Sequence, residues 1–172
     1  MIAEKLSYKT QWTIRRYADD AAFAAGMPTP VLDAEGKELP GVSEIEGNLL
    51  LNEGIQLLLD LLIGDGGTAY NNANSYLGVG DSSTAESASQ TALQASTNKT
   101  YKAMQATYPQ RSSQTVTWRA VFASGDANYA WAEFTIVNAS SDTGTNLNRK
   151  VSSQGTKASG QTWTLDVTVT IS

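Results

Sequence analysis

The clearest pattern along the chain lies at its C-terminal end. Trp163, Leu165, Val167, Val169 and Ile171 alternate with Thr162, Thr164, Asp166, Thr168 and Thr170. Strict alternation of apolar and polar residues predicts a β-strand with one buried and one polar face. The β-branched Thr and Val residues favour the same geometry. A second alternation sets Val116, Trp118, Ala120 and Phe122 against Thr117, Arg119, Val121 and Ala123, and Ser124-Gly125-Asp126 closes it as a turn. Tyr129 to Val137 reads as a third strand, with Ala130, Ala132, Phe134 and Ile136 on one face. Trp131, Glu133, Thr135 and Val137 take the other. Shorter strands are expected at Ser75–Asp81, Lys99–Tyr108 and Leu147–Val151, with Ser82–Asn98, Asn138–Thr145 and Ser152–Gly160 as loops. A short helical turn near Thr91–Ala95 is a further option.

The periodicity changes between residues 44 and 63. Ser43-Glu44-Ile45-Glu46 has the Ser-x-x-Glu spacing of a capping box, and Asn48 is a rival cap. Leu49–Ile63 is apolar except for a stripe of polar residues, among them Asn52, Gln56 and Asp60 spaced four apart. That predicts a helix wet along one edge and buried over the rest, covering a sheet; a helix that mates with copies of itself is the alternative. Gly64 is placed to end it in the left-handed conformation.

Residues 1–41 carry weaker signals. Alternation from Gln11 to Arg15 suggests a strand, Ala18–Met27 is Ala-rich, and Pro28, Pro30, Gly36 and Pro40 mark extended or turning chain. The segment reads as a strand and surface loop, or as an arm along a neighbouring subunit. The expected fold is therefore mainly β: an antiparallel, jelly-roll-like β-sandwich over residues 42–172 with one buried amphipathic helix. An N-terminal strand and arm occupy residues 1–41.

Composition narrows the chemistry. The 172 residues include no His and no Cys. The commonest general base near neutral pH, thiolate chemistry and the usual zinc ligands are thus missing, and neither an enzyme nor a cofactor is expected. Asp126 and Glu133 are two carboxylates near one strand, but nothing in their spacing fixes a cleft between them. The turn aspartates have no EF-hand spacing. Net charge is −5, with no basic run longer than Arg15-Arg16, so nucleic acid is not an expected partner. No signal peptide is legible in Met1–Arg16, and Leu49–Ile63 is too short to span a bilayer, so no membrane partner is expected. Charged residues make up only 17% of the chain, and the neutral polar surface this leaves suits a protein in extensive contact with others.

Of the four tryptophans, Trp163 and Trp118 are expected in the core. Trp131 shares its face with Glu133 and Thr135, so it is a candidate for a subunit interface or for stacking on a sugar. Trp12, Ile14, Arg15, Arg16 and Tyr17 are candidate arm contacts. Arg119 and Arg149 are candidate partners for Glu133.

Several ordered segments carry a resemblance. They are Asn48-Leu49-Leu50 with the helix that follows, Ala73–Ser82, Tyr101–Met104 with Thr107-Tyr108-Pro109, Thr117–Phe122 and Asp126–Phe134. Leu147–Val151, Gly155-Thr156-Lys157 and Thr162–Leu165 complete the set. Over Asn48–Ser172 the chain resembles a family of small virion structural proteins of tailed bacteriophages, labelled minor capsid, decoration (cement) or minor tail proteins. The resemblance implies a capsid decoration protein on the outside of the virion, assembled in the host cytoplasm. It implies a homotrimer whose partner is the major capsid protein, working through many modest contacts. A tail, fibre or adaptor component is the alternative, and a carbohydrate-binding module with glycan as ligand is a second.

Overall fold

A computed structural model describes residues 6–172; the first five residues of the expected N-terminal arm lie outside it. The elements run β1 (Tyr8–Tyr17), α1 (Asp20–Ala24), β2 (Val31–Leu32), β3 (Glu38–Leu39), β4 (Val42–Glu46), β5 (Leu49–Leu50), α2 (Asn52–Ile63) and β6 (Tyr76–Gly80). They continue with β7 (Lys99–Ala103), β8 (Gln110–Ser112), β9 (Thr115–Phe122), β10 (Glu133–Val137), β11 (Asn146–Val151) and β12 (Thr162–Ile171).

Two five-stranded antiparallel sheets face each other. The first has the order β4-β1-β12-β9-β8, the second β5-β11-β10-β6-β7. The expected mainly β, antiparallel sandwich is what the chain forms. Alternation in β12 and β9 turns Trp163, Leu165, Val167, Trp118, Ala120 and Phe122 inward. There they meet Leu77, Val79, Phe134, Ile136 and Leu147 from the second sheet. Each Leu, Val, Ile or Phe side chain among them, when fully buried, stabilises the fold by about 1.5–3 kcal/mol.

Within the N-terminal segment, Tyr8–Tyr17 is a strand of the first sheet and does not extend away from it. Tyr8–Tyr17 pairs with β12 along all ten residues, and Gln11–Arg15 also pairs with β4. Lying between two strands, β1 belongs to the sheet, and a domain boundary at 41/42 would cut through it. The stretch after it is tied down too. Val31 and Leu39 of the β2–β3 hairpin are buried, and Gln161 Nε2 donates to the Leu32 carbonyl at 2.6 Å.

The helix expected at about 44–63 starts later. Val42–Glu46 is an edge strand whose residues alternate between exposed and half-buried, and Ile45 packs against the core. Neither Ser43 nor Asn48 caps α2; Leu51 takes that position without a side-chain bond. Gly64 does close the helix in the left-handed region, at φ 76°. A second, short helix, α1, is capped by Asp19, whose carboxylate accepts from the Ala22 N–H at 2.8 Å. Thr91–Ala95 forms no helical turn.

Candidate interaction surface

The expectation that α2 is buried on most of its circumference fails. Only Gly54 and Leu57 are buried on it. Gly54 lets the helix lie directly on β11, because a Cβ there would stand 2.5 Å from the Leu147 carbonyl oxygen. Glu53 Oε1 accepts from the Asn146 N–H at 2.5 Å and fixes the first turn. Leu61 packs against the core's edge. The opposite side carries Ile55, Leu58, Leu59, Leu62 and Ile63, exposed by 39, 37, 55, 79 and 74%. The polar edge is present, with Asn52 and Gln56 exposed, but most of the apolar residues beside it face solvent as well.

A second feature lies on the outer face of the first sheet. β12 places Asp166 between Thr13 of β1 and Arg119 of β9. Arg15 Nη1 donates to Asp166 Oδ2 at 2.6 Å, and Arg119 Nε donates to Oδ1 at 2.6 Å. The hydrogen bond to Asp166 holds the Arg119 guanidinium above its ordinary pKa. Both arginines line a shallow cleft with Tyr17, Phe23 and Thr164. One carboxylate thus joins two guanidiniums across three strands, which clamps the sheet.

The third feature is a buried ion pair on the outer side of the second sheet. Arg149 Nε donates to Glu133 Oε2 at 2.8 Å, and both side chains are fully buried. The carboxylate also accepts from the Gln94 N–H at 2.9 Å and the Ala95 N–H at 2.7 Å. Arg149 Nη1 reaches Gln90 Oε1 at 3.0 Å. Gly80 makes room for the acid, since a Cβ there would lie 2.5 Å from Glu133 Oε1. The pair therefore pins the irregular chain between β6 and β7 over the sheet. Arg149 is the partner expected for Glu133, whereas Arg119 pairs with Asp166.

The six candidate contact residues fall elsewhere than expected. Trp12 and Ile14 are wholly buried, and Trp12 Nε1 donates to the Gly47 carbonyl at 3.1 Å. Arg16 is buried with its guanidinium 4.6 Å above the Trp163 ring, donating to the Pro40 and Gln154 carbonyls and to Ser43. Burial lowers its pKa to about 10. Tyr17 is buried edge-on to Phe23. Trp131 sits in the middle of the core, 4.8 Å from Phe122 and 4.9 Å from Trp163 between ring centroids. Strand geometry begins only at Glu133, so the alternation does not extend back to Trp131, which turns inward. Arg15 alone of the six reaches solvent, and its side chain is held on Asp166. With Trp12 and Trp131 buried, the sugar-stacking reading loses both of its aromatic platforms.

The carboxylates weighed for catalysis are engaged separately: Glu133 with Arg149, and Asp126 with Lys102 at 2.6 Å. Among the described residues no group of three or more Asp or Glu is placed to hold a metal ion, and no helix is long and apolar enough to cross a membrane. The sequence signal for the α2 face was present in the density of leucines, but periodicity does not say which side of a helix the rest of the fold covers. Comparison of this chain with known protein families, curated proteins and solved structures finds no match.

Proposed function

We propose that this chain is a structural virion protein of a tailed phage, a capsid decoration (cement) protein that binds the major capsid protein through protein–protein contact on the exterior of the shell. The observation that carries the contact reading is the outward row of Ile55, Leu58, Leu59, Leu62 and Ile63 on α2. Soluble monomers seldom leave contiguous apolar patches beyond a few hundred Å², and larger ones mark interaction sites. The described ion pairs bind the fold to itself, across strands and loops, rather than framing a reactive centre. The kind of assembly comes from the sequence resemblance, whose segments include α2. Quantitative mass spectrometry of purified virions tests the reading. A shell protein is present in hundreds of copies per particle, a handful of copies moves it to the tail, and absence from the particle contradicts the proposal.

A further inference from the structure

We infer that the exposed face of α2 is filled by α2 of a second copy of this chain, so that the protein self-associates helix to helix. The inference rests on reading that face as a contact surface; it assigns the face to a neighbouring copy within the assembly and leaves the contact with the shell to other surfaces of the chain.

Spacing is the first support. Ile55, Leu58, Leu59 and Leu62 stand at i, i+3, i+4 and i+7, the repeat by which one helix sets its side chains into the gaps of another. A seam of this kind is its own complement, as an interface related by a twofold axis requires.

Charge is the second. The chain carries a net charge of −5, so most approaches between copies bring like charges together. The only charged residues of α2 are Glu53 and Asp60. Glu53 is bonded inward to Asn146, and Asp60 is half-buried outside the apolar row. The row itself therefore carries no charge that would repel its copy.

The third support is the rest of the surface. Of the ten large hydrophobic residues exposed among the described residues, five are on α2. The other five, Leu6, Met27, Leu32, Val42 and Ile171, belong to separate segments of the chain. Among the described residues α2 thus gathers more exposed large hydrophobic side chains than any other element. Two such faces together remove on the order of 1,000 Å² from water, the least that a specific interface needs. Association through this face alone is accordingly modest, and many copies on one lattice would strengthen it through avidity.

Analytical ultracentrifugation of the full chain, from about 1 to about 100 μM, reads the outcome. The wild type is expected to shift from monomer to dimer with concentration. The double variant L59E/L62E is expected to stay monomeric with an unchanged circular dichroism spectrum, because both positions are exposed in the single chain. Leu32→Glu, an exposed residue on β2, is expected to associate as the wild type does. The chain has no cysteine, so Leu59→Cys, at the middle of the seam where a twofold axis brings a residue next to its own copy, tests proximity directly: it is expected to oxidise to a linked dimer, and Leu32→Cys is not. A wild type that is monomeric throughout overturns the inference, as does association that survives L59E/L62E. A monomeric wild type whose L59E/L62E variant still fails to enter virions would refute self-association and leave the contact reading standing.

Discussion

Arg149 and Glu133 form a fully buried ion pair, and the carboxylate of Glu133 simultaneously receives the backbone N–H groups of Gln94 and Ala95. Removing one partner strands the other charge in a medium that solvates it poorly. Arg149→Met or Glu133→Gln is expected to cost about 3–5 kcal/mol for the former and less for the latter, which keeps a polar acceptor. Urea unfolding measures both. Hydrogen exchange at Gln94 and Ala95 should quicken in each variant, because the chain between β6 and β7 loses its anchor.

Gly54 separates helix propensity from packing. Alanine is the better helix former by roughly 0.5–1 kcal/mol. Here the new Cβ would meet the Leu147 backbone at 2.5 and 2.6 Å, and backbone cannot swing aside as a long side chain can. Gly54→Ala is therefore expected to destabilise by about 1–3 kcal/mol. A raised thermal midpoint would show that α2 is not seated on β11.

Lys157 gives a pH dependence of defined sign. Its side chain is buried, with Nζ donating to the Ala123 carbonyl and Asn128 Oδ1. Burial lowers its pKa to about 8, against opposing pulls from Asp126 and Asp20. Between pH 8 and the ordinary lysine range, the unfolded chain binds more protons than the folded one, so stability rises with pH. The expected gain from pH 8 to pH 10 is on the order of 2 kcal/mol. Above pH 10 Tyr70, Tyr101 and Tyr129, whose pKa values burial raises, keep protons that the unfolded chain releases; together they outweigh the opposite contribution of Arg16 and turn the trend downward. Chemical denaturation across pH 7–11 checks the shape, and Lys157→Met should flatten the rising limb.

Trp131 is expected to behave as a core residue. Trp131→Ala empties the space between Phe122, Phe134 and Trp163 and should cost about 3–5 kcal/mol. Trp131→Phe should cost less. A variant of unchanged stability would return Trp131 to the surface.

The sandwich was legible where one face of a strand is buried and the other is polar, as along β12 and β9. It was less legible where both faces are covered. Glu133 and Thr135 are as buried as Phe134 and Ile136, so hydropathy alone could not place Trp131 among them. Ser43-x-x-Glu46 satisfies a helix-cap pattern, yet the same residues alternate as an edge strand, and pairing with β1 decides between the two. For α2, the apolar positions were right but their surroundings were wrong. A lone sequence counts leucines without showing that β11 touches only the Gly54 side of the helix.

Particle assembly in the presence of equal amounts of wild type and L59E/L62E tests the central claim most directly, provided both chains show the same thermal midpoint. If the α2 face makes the contact, virions should take up the wild type at least about tenfold over the variant, a discrimination of about 1.4 kcal/mol. Equal uptake would contradict the account.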